Sequence, residues 1–513
     1  MRRIVHATML CIVCTAITLT IVRADEEKEL AATPPQPVVT PKEWNFMVYL
    51  CSNNNLYSYY IRNFHQLEHV GSTPFVNIIL QLDKKDKKEV LRYFIDKNKP
   101  TIIETVSNNA TSFSGTPENL FEFAKCGIKK YPANKLCLVL SNHGAGVKDP
   151  HIWGRMGIAT SDILYSFNYH TGLLELNRNI VSDRKKLQEF LKINKDRGIA
   201  FNETAKVYLS NEDLKLSLER ISKELLNGNK VEILAMDACY MGMIEIAYQV
   251  KDTVKIMVGS EEVEPGAGYN YTTVLKPLEK EATDQTTLAK TIVSSFGNEY
   301  GTTVGDFTQS AVDLTYANDL AKALHALALT LTDLLTYDRD AAIKALAAVR
   351  NNHELTTEFF DADYIDLGHF ISNLVITCTN QEKSDTTLRE IKPVKRENAG
   401  KSSKQTKPSK PSDPKQQWHQ AKELALDTLS ILQKMIIANT TGNNLVKAQG
   451  LAIYFPQNTI HRSYKNTDFA QATAWPKFLR KYVAVKKEHC VLPVSDGIAT
   501  IAEPTNSTQP VVS

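Results

Sequence analysis

Two stretches decide the fold: KLCLVLSNHGAG at 135–146 and VEILAMDACYM at 231–241. Each is a short apolar run that stops at a small polar turn, Ser141-Asn142-His143-Gly144 in the first and Asp237-Ala238-Cys239 in the second. Apolar runs of this length, without the alternation of a half-wet strand, fit strands buried on both faces. Such strands belong to a mostly parallel sheet flanked by helices, and in an open sheet of that kind the ligand crevice lies at the carboxyl ends of the strands. Both runs end with a chemically useful side chain at that edge.

Outward from these runs the same alternation of elements continues. FMVYL at 46–50 and FVNIIL at 75–80 read as strands, and Leu56, Tyr60, Ile61, Phe64, Leu67 and Val70 recur at helical spacing between them. Residues 90–95 and 101–106 fit a hairpin, and helices around 117–130 and 211–226 lead into the two deciding strands. Helical periodicity then dominates 286–300, 316–349, 361–377 and 418–438, with a late strand at 450–455. The expected class is therefore α/β, with a sheet domain over 44–310 and a mainly helical C-terminal region over 311–380 and 418–490. No repeat at solenoid periods is visible.

The 513 residues leave room for a large core, and 43% hydrophobic against 23% charged residues excludes a collagenous or wholly disordered chain. The net charge of +3 is local in origin. Residues 1–24 carry Arg2, Arg3 and Arg23 and no acid, and 381–417 hold ten Lys/Arg against five Asp/Glu, so the folded remainder is acidic and offers no basic face to nucleic acid. The segment 381–417 has four apolar residues and reads as a Lys-rich disordered insertion. Residues 25–43, acidic and then proline-rich, read as a linker or pro-segment, and 491–513 as a tail.

Two arginines, the apolar stretch 4–22 and the small residues around Val22-Arg23-Ala24 form a signal peptide pattern with cleavage after Ala24. The expected location is secreted or periplasmic, with no membrane span once the signal is removed. Cys51, Cys126, Cys137, Cys239, Cys378 and Cys490 remain beyond it, at spacings that give neither a disulfide framework nor a zinc signature.

His143 and Cys239 make a proton carrier and a nucleophile, brought to one edge if their strands are neighbours. The stretch after Cys239 carries Ile244, Ala247, Tyr248 and Lys251 at helical spacing, so Cys239 is expected to begin a helix whose N-terminus favours the thiolate. Gly144 lets the backbone approach a substrate, and its N–H with that of Cys239 could hold an oxyanion. A metal-dependent hydrolase built on His143, His151, His170 and Asp237 is the weaker reading, because compact ligand spacing is missing.

At these residues the sequence resembles the clostripain family of cysteine endopeptidases, which have the caspase-like fold of clan CD. The resemblance extends to WNFMVYL with NNNL at 44–56, RGIAFNETAKVYLSNEDL at 197–214, GSEEVEPGAGYNYTTVL at 259–275, QSAVDL at 309–314, DYIDLGHF at 363–370 and GLAIYFP at 450–456. It implies Cys239 as nucleophile, His143 as general acid/base with no third residue needed to orient it, and cleavage after Arg or Lys. Asp237 would wall the basic P1 pocket. A second acid expected at 267 is replaced by Ala267, with Glu261, Glu262 and Glu264 as nearby substitutes.

The inserted loop 150–196 is longer than the family minimum, and self-cleavage of relatives in this region makes Arg184, Lys185, Lys186, Lys195 and Arg197 candidate processing sites. No cofactor is required by the chemistry, and calcium, which some relatives need, stays open as one; no EF-hand pattern is present, and Asp361, Asp363 and Asp366 fit caps or helix faces better. The expected partner is a peptide or protein substrate of a monomeric enzyme. The rival reading is a catalytically silent exported protein that uses the caspase-like crevice to bind peptides or a partner protein.

Overall fold

A computed structural model describes residues 40–84, 89–107, 113–148, 199–202, 205, 207–389 and 413–491, with the backbone of a hairpin at 165–168 and 173–176. The leader, the processing candidates Arg184, Lys185, Lys186, Lys195 and Arg197, and His151 and His170 lie outside the described residues.

The first part of the chain runs β1 (Lys42–Leu50), α1 (Tyr57–Val70), β2 (Val76–Asp83), β3 (Glu89–Asp96), β4 (Lys99–Ser107), α2 (Pro117–Lys130) and β5 (Ala133–Ser141). The hairpin strands β6 (Tyr165–Asn168) and β7 (Leu173–Leu176) follow, then β8 (Ile199–Asn202), β9 (Val207–Leu209), α3 (Asn211–Leu225), β10 (Val231–Asp237), α4 (Ile244–Val250) and β11 (Val254–Gly259). Next come α5 (Tyr271–Leu275), α6 (Gln285–Tyr300), β12 (Thr308–Asp313), α7 (Ala317–Tyr337), α8 (Arg339–Arg350), β13 (Tyr364–Asp366) and α9 (Leu367–Arg389). The last are α10 (Pro414–Met435), β14 (Ile436–Thr441), β15 (Ala452–Tyr454), α11 (Asp468–Ala472) and α12 (Trp475–Val491).

Nine strands form one sheet in the order β14-β12-β11-β10-β5-β1-β2-β3-β4. The five central strands, β11 to β2, are mutually parallel, and the antiparallel pairs β12/β14 and β3/β4 close the two edges. Period-two alternation divides the central residues between two cores. Met47, Tyr49, Leu138, Leu140, Leu234 and Met236 face one core, which also takes residues of α2, α3, α4 and α7. Phe46, Val48, Cys137, Val139, Ile233 and Ala235 face the other, against α1, α5 and α6. With both faces covered, these strands must be apolar throughout, which is why they read as unbroken runs.

The mostly parallel sheet and the helical second half agree with the sequence reading, but the boundaries change. The division at 310 cuts through β12, and β14 completes the sheet, so 311–490 is no separate layer. Helices α7 to α10 and α12 share the core of α2 and α3. Helix also covers 381–389 and 414–417, both within the expected disordered insertion. No helix among the described residues is long and apolar enough to cross a membrane.

Two buried carboxyl groups fasten the C-terminal region to the sheet. Glu245, in the first turn of α4, accepts from the Tyr454 N–H and the Tyr464 hydroxyl, both at 3.0 Å. Glu262 accepts from the N–H groups of Val263 at 2.7 Å and Phe360 at 2.9 Å. Burial outweighs these hydrogen bonds and raises Glu245 to about 7 and Glu262 to about 8. Between the ordinary carboxylate range and those values the folded chain holds protons that the unfolded chain has lost, so stability from these groups falls as pH rises. Urea midpoints are expected to be lower at pH 8.5 than at pH 5.5. Glu262→Gln should flatten the dependence by an amount on the order of 3 kcal/mol or less; an unchanged slope would contradict the assignment.

Candidate active site

Three neighbouring strands end level with one another. Ser141 of β5 pairs with Leu50 of β1 on one side and with Asp237 of β10 on the other. His143 and Cys239 each follow their paired strand end by two residues, and the Asn142 N–H extends the ladder to the Asp237 carbonyl at 3.2 Å. Both side chains line one pocket, together with Asp237, residues 264–268, Leu56 and, from α1, Tyr60 and Asn63.

The loop after β5 is clamped by Asn142. Its Oδ1 accepts from the N–H groups of His143 at 2.6 Å and Phe201 at 2.8 Å, while Nδ2 donates to the carbonyls of Cys51 and Phe201. Gly144 then forms a bridge with Ile199. A β-carbon on Gly144 would lie 2.3 Å from the Cys239 carbonyl oxygen and 3.1 Å from its nitrogen. Glycine is required here because the two loops touch, before any substrate enters.

His143 is half-buried, and burial lowers its pKa to about 4, so the ring is neutral at physiological pH. Its Nε2 stands 2.8 Å from Asn55 Oδ1. The resemblance needs no third residue to orient the histidine, and Asn55 is nevertheless in hydrogen-bond contact with it. Cys239 is 4% exposed, and its sulfur accepts the Glu264 N–H at 3.4 Å. The expected helix start is displaced: Tyr240 takes φ +61°, Gly242 N–H donates to the Ser260 carbonyl at 2.7 Å, and α4 begins only at Ile244. The Glu264 N–H, not a helix terminus, is the dipole that meets the sulfur.

Asp237 is buried at the pocket wall, where Oδ2 accepts from Ser141 Oγ at 2.9 Å and the Tyr269 N–H at 3.3 Å. Gly268 has φ +59°, and a β-carbon there would come within 2.5 Å of both carboxylate oxygens. Glu264 lies beside Asp237 and accepts from Gln309 Nε2 at 2.9 Å. Burial raises both pKa values, and at Glu264 the neighbouring Asp237 adds to the rise, so Glu264 is the more reluctant of the two to ionise. Ala267 lines the same pocket and adds no charge.

Glu261 and Glu262 do not reach this pocket. Glu261 is buried against Asp366, which with burial raises its pKa, and Glu262 is committed to the Phe360 N–H. Asp361 and Asp363 hold Lys148 at 3.0 Å and 2.7 Å, and Asp366 accepts from the His369 N–H in the first turn of α9. No group of three His, Cys, Asp or Glu among the described residues is placed to hold a metal ion. Asn55, Asn63 and Gln309 are the polar contributors missed in the sequence; Asn55 stands in the quoted NNNL and Gln309 opens QSAVDL, but asparagine and glutamine carry no chemical signature of their own.

The family model of the clostripain family matches residues 48–159 and 186–482. The chain belongs to the clostripain family. Clostripain of Hathewaya histolytica is 22% identical over 251 residues, which are 44% of this chain and 40% of that protein, so the alignment spans about two fifths of its length. The fold is shared with an inactive zymogen C11 protease from Parabacteroides distasonis, at TM-score 0.53 and 16% identity over 85% of this chain and 99% of that one. A secreted C11 cysteine protease of Bacteroides thetaiotaomicron, "iotapain", gives TM-score 0.52 and 15% identity over 85% and 100%. The caspase-like fold and a cysteine-peptidase family are thereby established.

If Gly144 is needed for loop contact, Gly144→Ala must push the His143 and Cys239 loops apart. Peptide hydrolysis is expected to fall about 10²-fold, the cost of misplacing reacting groups by about an ångström, with unchanged far-UV circular dichroism. Full activity would show that the loops tolerate the separation.

Proposed function

We propose that the protein is an exported cysteine endopeptidase that hydrolyses peptide bonds after Arg or Lys. The observation that carries this reading is the register of Ser141 with Asp237, which sets His143 and Cys239 equally far beyond adjacent strand ends, in one pocket.

In this mechanism the Cys239 thiolate attacks the scissile carbonyl carbon, and the carbonyl oxygen becomes an oxyanion held by the N–H groups of Gly144 and Cys239. Support comes from the close approach of the two loops, where a β-carbon on Gly144 would lie 3.1 Å from the Cys239 nitrogen. His143, having taken the thiol proton, passes it to the leaving amine as the C–N bond breaks. Water then loses a proton to His143 and attacks the thioester, which releases the carboxylic acid and restores the thiol. The low basicity of the buried imidazole makes the protonated ring a strong acid toward the departing amine.

Asp237 and Glu264 would recognise the P1 side chain. Two adjacent buried carboxyl groups, of which Glu264 is the more reluctant to ionise, suit one guanidinium or ammonium group. The charge absent at Ala267 is not replaced by Glu261 or Glu262. Export rests on the N-terminal pattern at residues 1–24, and self-cleavage at Arg184, Lys185, Lys186, Lys195 or Arg197 rests on the family resemblance. No metal takes part in the chemistry as drawn, so a chelator should leave the rate unchanged.

A fluorogenic peptide panel varied at P1 tests the whole reading. Wild type should cleave after Arg and Lys, while Cys239→Ala should lose activity by at least about 10³-fold. Asp237→Asn should cost roughly 10²-fold in kcat/KM for Arg, as loss of a buried charge partner does, and much less for an uncharged P1. Cleavage after uncharged residues in wild type would keep the peptidase and discard the pocket assignment.

A further inference from the structure

From the contact between His143 Nε2 and Asn55 Oδ1, we propose that Asn55 is a positioning residue that holds His143 in the tautomer and orientation needed to carry the proton. The inference rests on His143 and Cys239 as the reacting pair and adds a third member that acts through the histidine.

The amide oxygen can only accept, so the ring nitrogen facing it must carry hydrogen. With Nε2–H directed at Asn55, the neutral ring has its lone pair on Nδ1, and Nδ1 becomes the atom that exchanges a proton with sulfur, amine and water. When the ring is protonated, Nε2–H still has its acceptor. The same hydrogen bond therefore serves both protonation states, while burial works against the charged one.

A positioning group must itself be held, and this one is. Asn55 lies in the turn from β1 to α1, where the Leu56 N–H donates to Asn54 Oδ1 at 2.9 Å. Asn54 Nδ2 donates to the carbonyls of Cys51 at 3.0 Å and Phe201 at 3.2 Å. One step back, the Ser52 N–H donates to Asp83 Oδ2 at 3.1 Å, Ser52 Oγ donates to the Asp83 carbonyl at 2.9 Å, and Ser114 Oγ donates to Asp83 Oδ1. The Cys51 and Phe201 carbonyls are those that also receive Asn142 Nδ2. The residues before His143 and before Asn55 are thus tied to the same two backbone oxygens, which fixes the distance between donor and acceptor.

The test compares Asn55→Ala and Asn55→Asp with His143→Ala in the full chain, by hydrolysis of a P1-Arg peptide and by the pH dependence of Cys239 alkylation with iodoacetamide. Asn55→Ala should lower kcat about 10- to 100-fold with KM nearly unchanged, less than the 10²–10⁴-fold of acid–base catalysis as a whole. In the His143→Ala background the same substitution should leave the alkylation profile unmoved, because Asn55 acts through the ring. Asn55→Asp keeps an acceptor and adds charge, so it should retain most activity and shift the acid limb of the profile to higher pH; this variant decides the matter if Asn55→Ala does not fold. If Asn55→Ala keeps full kcat, or Asn55→Asp leaves the acid limb in place, the inference is overturned while the peptidase reading stands. If His143→Ala itself changes neither readout, the reading of the reacting pair fails first, and the inference with it.

Discussion

Strands β5 and β10 run side by side with Ser141 opposite Asp237, and a slip of one residue in either would turn every core side chain to the wrong face. Burial on both faces makes such a slip prohibitive, because Leu138 and Leu234 serve one core while Val139 and Ala235 serve the other. Register, normally a matter of stability, here fixes chemistry: a thiol and an imidazole 96 positions apart in the chain are set level by hydrogen bonds in the middle of the sheet. The loops beyond need only short, well-tied turns. Asn142 supplies much of that tying through one side chain that meets β1, the His143 N–H and β8 together.

The central strands were legible because complete burial leaves an unbroken apolar run, and the reactive residues were legible because they stand directly after such runs. Where burial is met by other means, the pattern fades. Strand β12 carries Thr308, Gln309 and Ser310 into the interior, where each makes side-chain hydrogen bonds, so it does not look like a core strand. Strand β14 begins at Ile436 immediately after α10 ends at Met435, and the apolar periodicity of the helix runs on without punctuation. The turn 260–268 was recognised as important, but three acids in four positions point to three different places, and only Glu264 enters the pocket. Direction within an irregular turn depends on which N–H group each carboxyl group finds, and sequence spacing does not encode that. The misplaced helix start has a similar cause, since the periodicity of α4 is real but the chain makes a tight turn through Tyr240 and Gly242 before entering it.

Desolvation runs through the whole site. It keeps His143 neutral, raises the pKa of Glu264 beside Asp237, and makes the carboxyl groups that dock the C-terminal region proton-binding near neutrality. For the carboxyl groups a backbone N–H or a side-chain donor limits the penalty without removing it. The result is a crevice of low dielectric in which a single unbalanced charge interacts strongly with whatever enters.

Between β5 and β8 the sequence makes an excursion that includes the β6/β7 hairpin, and at its end β8 bridges through Ile199 to Gly144 in the loop after β5. Everything before that excursion supplies β1 to β5, everything after it supplies β10 to β14, and the seam between the two sets is the β5/β10 pair at the centre of the sheet. A cut in that connection would leave the sheet built from two interleaved polypeptides. Refolding, however, would change order, from a search within one chain to an encounter between two, and at low concentration that makes unfolding a one-way event. For such a molecule lifetime would be set by the height of the unfolding barrier and no longer by an equilibrium.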